Sequence, residues 1–207
     1  MKKLFILSPG RETTVPERWT AGPGESLSVC IIVLPGVSAD LPLTVDLTGE
    51  GADVRLAGVY ACGGAEQVRF TVRMNHHSAH TTSKQLFNGI AGGTARAEFY
   101  GKVTVDPDAQ QIEAYQENHN VLLSESATVQ TRPQLEIYAD DVKCSHGATI
   151  GRLDEGERFY MQSRGIPEKE AKTLQMISFL SPVLEYVEDS EREEVAALLE
   201  EAVRQLA

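Results

Sequence analysis

The sequence has few of the residues that mark a secreted, disulfide-bonded protein. It contains only three cysteines, Cys30, Cys62 and Cys144, which are widely spaced and include no Cys-x-x-Cys pair. An odd number of isolated cysteines argues against a disulfide framework and favours a reducing compartment. The N-terminal apolar run ends by Pro9, which makes it too short for the apolar core of a signal peptide. We therefore expect a cytoplasmic protein.

Positive charge is also scarce, and long apolar runs are missing. Lysine and arginine total 19 against 30 aspartate and glutamate residues, so the formal net charge is −11. Nucleic acids and anionic membrane surfaces attract basic proteins, and neither is therefore expected as a partner. No apolar run in the sequence is long enough to span a bilayer.

Two common catalytic signatures are absent. The glycine-rich segment 89–93 lacks the Gly-Lys-Ser/Thr ending of a phosphate-binding loop, and there is no Gly-x-Ser-x-Gly nucleophile elbow. Asp140 and Asp141 are adjacent, so on a strand their carboxylates would point to opposite faces and would not act together. A β-helix enzyme that acts on polysaccharides is therefore the least favoured alternative.

What the sequence does contain is a long region of alternating apolar and polar residues, from about residue 27 to residue 150. Its turn residues include Asn88-Gly89, which has the chemistry of a hairpin turn. No helical pattern intervenes, which excludes βαβ architectures and leaves a sandwich, a barrel or a β-solenoid. The clearest strand patterns, which are rich in β-branched residues and alternate with period two, are 28–33, 53–56, 68–73 and 101–105.

After Gly151 the pattern becomes helical. Residues 155–164 have helical spacing, and Pro167 is placed to be the first residue of a second helix. We therefore divide the chain into a β-rich part, 1–152, and a helical part, 153–207. The apolar face of the second helix is predicted to contain Ala171, Leu174 and Ile177.

A third helix is predicted within the acidic segment 185–201. Ser190 and Glu193 have the spacing of a capping box at its start. The acidic residues form either a solvated helix face or a docking surface for a basic partner. The predicted apolar stripe of this helix contains Val195, Leu198, Leu199, Ala202 and Leu206.

Two segments contain residue types that bind metals. Cys144 and His146 would lie on one face of a strand, where a thiolate and an imidazole suit zinc, an iron–sulfur species or a nucleophilic pair. Two ligands need further donors from elsewhere or from a second chain. His76, His77 and His80 offer three imidazoles within one short segment. A buried cysteine beside an exposed histidine, and a polar loop, are the simpler interpretations. A stand-alone metal-binding protein that uses all five residues is an open alternative.

Four runs of the sequence are similar to motifs of one known family, namely 99–103, 114–124, 131–151 and 159–166. They resemble the SufB/SufD family of iron–sulfur cluster assembly proteins. The similarity extends over about residues 78–187, and its separate motifs make it more specific than a lone Cys-x-His. The segment 145–149, Ser-His-Gly-Ala-Thr, looks like SufD rather than SufB, so the chain resembles a shortened SufD-like member.

The resemblance implies a mostly β protein, a right-handed parallel β-helix followed by a small C-terminal α-helical domain. It implies a non-catalytic scaffold subunit of the SUF system, which pairs with a SufB-like subunit or with itself and binds the SufC ATPase through its helical domain. In family members the residues that match Cys144 and His146 lie near the subunit interface, where the histidine is a candidate ligand of a transient cluster. No tightly bound cofactor is expected on the isolated subunit. The implied SufC-binding region contains Ser163, Arg164, Gly165, Ile166 and Pro167.

Two departures from the family pattern bear on the partner. Family members are commonly longer than this sequence, and their N-terminal part has no counterpart here. His119 stands where the family pattern has arginine or lysine. Both departures leave open whether the chain pairs with a SufB-like subunit or with a second copy of itself.

Overall fold

The computed structural model describes all 207 residues, and its strands precede its helices. The strands are β1 (Lys2–Leu7), β2 (Arg18–Ala21), β3 (Ser26–Val33), β4 (Ala39–Leu47), β5 (Asp53–Cys62), β6 (Gln67–His76), β7 (Thr82–Ala91), β8 (Arg96–Val105), β9 (Ile112–Leu122), β10 (Thr128–Ile137) and β11 (Val142–Gly151). The helices are α1 (Glu155–Ser163), α2 (Glu168–Leu180), the 3-10 helix η1 (Ser181–Tyr186) and α3 (Arg192–Arg204).

The strands form two parallel sheets that coil into a solenoid of about five turns. The odd-numbered strands follow one another in one sheet, which we call the odd sheet, and the even-numbered strands form the other, the even sheet. Every pairing is parallel. Each turn contributes one strand to each sheet, so side chains of successive turns stack in columns, as Val29, Leu56 and Gln85 do. The solenoid among the predicted alternatives is therefore confirmed.

The space between the two sheets is filled by a core of 30 buried apolar residues. Side chains along each strand alternate between this core and the outside, as the pleat of a strand requires. At its centre, Phe87 packs between Phe70 and Phe99, with ring centroids 5.2 Å and 4.7 Å away. Burying one such ring stabilises the fold by about 1.5–3 kcal/mol.

The helices cover the outer face of the odd sheet, whereas most outward side chains of the even sheet are exposed or half-buried. Asn88 Nδ2 donates a hydrogen bond to the Phe179 carbonyl oxygen over 2.8 Å, and Ser28 Oγ donates to that of Tyr186 over 3.2 Å. Because β3 and β5 are covered on both faces, their sequences are almost continuously apolar. The second core under the helices contains 14 buried residues, among them Cys30, Ile32, Val59, Met176, Leu180 and Leu199.

The second helix differs from its prediction in start and orientation. Pro167 is the N-cap that precedes α2 and is not its first helical residue. Leu174, predicted to be on the apolar face, is 40% exposed, whereas Met176 and Leu180 are buried. The face of α2 that packs against the odd sheet is therefore slightly rotated from the predicted apolar face. Ala171 belongs to both the predicted and the observed face.

The predicted capping box of the last helix is wrong. The N-cap of α3 is Glu191, and no side chain caps the helix start. The predicted apolar stripe is largely confirmed, because Val195, Leu199 and Ala202 are buried. Between the two parts of the chain, β11 ends at residue 151 and α1 begins at residue 155. That the two parts are separate domains stays a prediction.

Candidate functional site

The C-terminal end of the solenoid carries no covering strand. β10 ends the even sheet and β11 ends the odd sheet, so each leaves one edge without a paired strand. Three large apolar side chains are exposed there, namely Ile137 at 37%, Tyr138 at 62% and Ile150 at 45%. Unpaired strand edges beside exposed apolar side chains are typical of a surface that pairs with another chain. We call the layer formed by β10 and β11 the open end.

Cys144 and His146 lie in the open end and face the same side of β11, as predicted. Their ladder partners on β9 are Ala114 and Gln116, which are buried in the solenoid interior. Cys144 is half-buried and packs against the interior core. Burial raises the pKa of its thiol, although a hydrogen bond with the Ala114 backbone opposes the shift. His146 is exposed.

The open end supplies two donors, a soft thiol sulfur and an imidazole nitrogen. No group of three histidine, cysteine, aspartate or glutamate side chains anywhere in the chain is arranged to hold a metal ion. A zinc ion or an iron–sulfur cluster usually takes about four protein donors. Cys144 and His146 therefore fit part of a ligand set that a second chain would have to complete.

The three clustered histidines lie elsewhere, at the corner after β6, and do not converge with Cys144 and His146. The two ring nitrogens of His76 lie 2.7 Å from Thr81 Oγ1 and 2.9 Å from Ser83 Oγ. Burial, and to a lesser degree the neighbouring His77, lowers the pKa of this imidazole to about 4. His76 is therefore a neutral, fully hydrogen-bonded part of the corner. The His80 ring lies 3.6 Å from a carboxylate oxygen, that of Glu50.

His77 belongs to a charged network on the outside of the even sheet. Its Nδ1 lies 2.7 Å from Asp106 Oδ2, and this hydrogen bond is the main cause of the raised pKa of His77. Asp46 accepts hydrogen bonds from Asn75 over 2.8 Å and from Arg18 over 2.7 Å. Burial alone would raise the pKa of Asp46, but these partners and His77 lower it. The network connects successive turns, which gives it a structural role.

The interior of the solenoid changes from apolar to polar towards the open end. One column of inward side chains contains Val29 of β3 and Leu56 of β5 and continues towards the open end with Gln85, Gln116 and His146. Gln116 Nε2 donates a hydrogen bond to Gln85 Oε1 over 3.2 Å. Neither Gln85 Nε2 nor Gln116 Oε1 has a hydrogen-bond partner, although both atoms are buried.

A second polar group lies beside this column. Tyr60 Oη donates to Asn120 Oδ1 over 2.6 Å, and Asn120 Nδ2 donates to Asn118 Oδ1 over 2.8 Å. The Tyr60 ring occupies the space above Gly89, where any Cβ would overlap it. Gly89 therefore lies inside β7, and Asn88-Gly89 does not form the hairpin turn that its chemistry suggested.

These interior amides are not predictable from the sequence as a feature of the site. The detectable signal was the alternation of Gln116, Asn118 and Asn120 along one strand, which places them on one face. That signal predicts a surface face in most β-proteins, because amides are mostly exposed. Only the closure of the solenoid turns the same face inward.

Comparisons with known proteins agree with this architecture. Residues 19–179 match the family described as SUF system FeS cluster assembly, SufBD core domain. The chain belongs to the SufBD family. The SUF system assembles iron–sulfur clusters, and the expected family membership and fold are confirmed.

Among the relatives of this SufBD-family chain are two proteins named iron–sulfur cluster assembly protein SufD. The one from Escherichia coli is 36% identical over 146 residues, which cover 70% of this chain and 34% of the relative. The one from Bacillus subtilis is 33% identical over 141 residues, which cover 68% and 32%. A SufBD family protein of Synechocystis is 42% identical over 117 residues, which cover 56% and 25%. The chain thus spans about a third or less of these relatives.

The predicted SufC-binding region of the SufBD-family chain connects its first two helices. Arg164 caps α1, Gly165 has a positive φ of 87°, and Ile166 is half-buried before α2 begins. α1 itself has no buried residue, and its Phe159 and Tyr160 are 73% and 58% exposed. The structure therefore adds an aromatic surface next to the predicted region.

His119, the departure from the family pattern, lies on the outer face of β9. Its Nδ1 is 2.9 Å from Thr149 Oγ1, and its Nε2 is 3.5 Å from Glu117 Oε2. The imidazole therefore connects β9 to β11 and supports the last turn from outside. None of the helices has the length and apolar composition needed to cross a membrane.

Proposed function

We propose that the chain is a non-catalytic scaffold subunit of the SUF system, which pairs through its open end and binds a SufC-like ATPase through its helical part. The observation that carries the proposal is the position of Cys144 and His146 in the uncovered last layer of the solenoid. A partner seated there would place these two donors between the two chains. The transient iron–sulfur cluster is then cargo of the pair and not a resident cofactor of this chain.

The open end suits a second solenoid as its partner. Strands β10 and β11 offer backbone donors and acceptors along two adjacent edges, so a partner strand on each edge would extend both sheets. The exposed side chains of Ile137, Tyr138 and Ile150 would be buried in the same contact. A SufB-like subunit and a second copy of this chain both meet these requirements.

The aromatic surface of α1 is the proposed contact for the SufC-like ATPase. Phe159 and Tyr160 are exposed on a helix that has no fully buried residue, and Leu174 of α2 is also exposed. The Arg164 guanidinium lies 4.9 Å from the Tyr160 ring centroid. Exposed aromatic residues with a neighbouring arginine are enriched where proteins bind each other tightly.

Co-expression tests the pairing directly. The chain is produced with the host's SufC-like ATPase, with and without its SufB-like protein, and the products are separated anaerobically by size-exclusion chromatography with mass determination. The proposal predicts a stable complex in at least one combination, and the mass distinguishes a heterodimer from a homodimer. A monomer in every combination would contradict it.

Two point variants assign the two contacts. Ile150→Glu is expected to abolish pairing at the open end, whereas Thr14→Glu, in the exposed loop between β1 and β2, is the matched control. Phe159→Glu is expected to abolish ATPase binding only, with Gln162→Glu on the same helix as its control. Because α1 buries no residue, its variants should keep the fold, which circular dichroism checks.

A role for His146 in the pair is tested by His146→Ala. The variant is expected to keep its fold, since the imidazole is exposed, but to lower the activity of client iron–sulfur enzymes in the cell. Unchanged client activity would remove His146 from the proposed site.

A further inference from the structure

Three of the six buried side-chain atoms that have no hydrogen-bond partner lie inside the solenoid, and they belong to β7, β9 and β10. Native proteins pair the great majority of their buried polar atoms, so each exception requires an explanation. Gln85 is 2% exposed and Gln116 is 0% exposed, and each retains one amide atom without a partner. Thr131 Oγ1 of β10 is a third such atom. The inward positions of β3 and β5 in the same column, Val29 and Leu56, are apolar.

The neighbours of Gln116 determine which end of its amide is free. Its Nε2 donates a hydrogen bond to Gln85 Oε1, in the preceding turn of the solenoid, over 3.2 Å. The amide occupies the space next to Gly101, where an added Cβ would meet Nε2. The nitrogen is therefore held towards the earlier turn, and Oε1 is the free hydrogen-bond acceptor.

The next residue of the column is His146. It pairs with Gln116 across β11 and β9. Neighbouring strands lie about 4.8 Å apart, so two polar side chains on the same face are close enough to form a hydrogen bond. An imidazole carries a ring N–H in either neutral tautomer, so it always has a donor to offer. The column thus places the unpaired acceptor, Gln116 Oε1, next to a residue that has an N–H to donate, His146.

We infer that Gln116 is a positioning residue for His146. The structure leaves this Oε1 unpaired, and a turn of the exposed His146 ring towards the column would let a ring N–H donate to it. That hydrogen bond would hold the imidazole in one tautomer and leave the other ring nitrogen unprotonated to bind a metal. Gln85 acts one step further away, because it orients the Gln116 amide. The inference rests on the proposed function in one respect, namely that His146 contacts the cluster.

General metal-site chemistry supports this arrangement. Histidine ligands commonly donate their second ring nitrogen to an oxygen acceptor, which fixes the tautomer and the ring orientation. A column that served packing alone would be filled by side chains such as Leu56, since a half-paired polar column is less stable than an apolar one. The amides therefore have a purpose other than stability.

The test measures the tautomer of His146 in the full chain. The five histidines are labelled with ¹⁵N, and the His146 ring signals are assigned with the variant His146→Gln. We expect a single dominant tautomer in the unchanged chain and a mixture of both in Gln116→Leu. Gln116→Met, which keeps the length of the side chain, serves as a second variant if Gln116→Leu is poorly folded.

Gln85→Leu is the matched control, because it removes the same amide one turn deeper in the same column. It is expected to shift the tautomer mixture less than Gln116→Leu does. Equal shifts in both variants, or none in a folded Gln116→Leu, would overturn the inference.

A second readout uses the assembled complex and added Fe²⁺. We expect Gln116→Leu to weaken iron binding about 10–100-fold, as is usual for a residue that orients a ligand. The tautomer measurement needs neither partner nor iron. A fixed tautomer without iron binding would therefore contradict the proposed function alone, and iron binding unaffected by Gln116→Leu would contradict the inference.

Discussion

Early and late turns of the solenoid share one backbone but have different interiors. In β3 and β5, the inward column contains Val29 and Leu56, and helices cover the outer face of these strands. In β9 and β11 the same column contains Gln116 and then His146, at the end of the solenoid where no further strand covers the last turn. The repeat therefore fixes where each side chain lies, while the residue type decides whether a turn contributes stability or chemistry.

The strongest test of this comparison makes an early turn resemble a late one. Leu56→Gln places an unpaired amide in the apolar interior, which removes buried apolar surface and adds an unsatisfied polar group. We expect a loss of about 3–5 kcal/mol in the free energy of unfolding. Urea denaturation measures it, with Leu56→Met as the control that should lose less than about 1.5 kcal/mol. A loss below about 1 kcal/mol would mean that early and late interiors are equally tolerant of polar groups.

A second test uses His76, a buried polar residue whose hydrogen bonds are complete. Its pKa falls from 6.5 when unfolded to about 4 in the folded chain, chiefly through burial. Between these pH values the unfolded chain binds more protons, so acidification favours unfolding. The stability from this group is complete above pH 6.5, and about 3 kcal/mol of it is lost as the pH falls towards 4.

Comparison with His76→Gln isolates this contribution from that of the carboxylates. We expect the difference in unfolding free energy between the two chains to shrink as the pH falls over this range. A difference that stays constant would mean that the imidazole is already protonated, or solvated, in the folded chain.

The boundary between the two kinds of interior is tested by Tyr60→Phe. The Tyr60 side chain extends from β5 across Gly89 to Asn120 of β9. Removal of its hydroxyl group leaves Asn120 Oδ1 without a hydrogen-bond donor. We expect a loss of about 1–2 kcal/mol in unfolding free energy. Tyr138→Phe, at an exposed tyrosine, should change it by less than about 0.5 kcal/mol. Equal effects would show that the hydrogen bond across the boundary adds nothing.

The smallest expected change comes from making a late turn resemble an early one. The double variant Gln85→Leu, Gln116→Leu removes both members of the incomplete amide pair together. Because neither partner is left behind, we expect the unfolding free energy to stay within about 1 kcal/mol or to rise. A loss of more than about 2 kcal/mol would mean that the amides are stabilising, for instance through buried water.

The sequence predicts the strands and the orientation of Cys144 and His146 because both follow from the period-two alternation of a strand. It does not separate a solenoid from a sandwich, since both use the same alternation. For that choice the family resemblance was decisive. The rotated face of α2 and the missing cap at Ser190 were not predictable, because packing on the odd sheet decides them. The pair Asn88-Gly89 has the composition of a hairpin turn. Its glycine is instead required inside a strand, because the Tyr60 ring, which is distant in sequence, fills the space that a Cβ would occupy.

The helical cover of the early strands also has a consequence for how the chain folds. Ser28 of β3 is joined to Tyr186 of η1, 158 residues later. Strands of a solenoid can assemble turn by turn as they are synthesised. The outer face of β3, with Cys30 and Ile32, nevertheless stays in water until the helices have been translated. During that interval the nascent chain presents an apolar sheet to the ribosome exit and to chaperones, and its maturation depends on the arrival of residues that take no part in the solenoid itself.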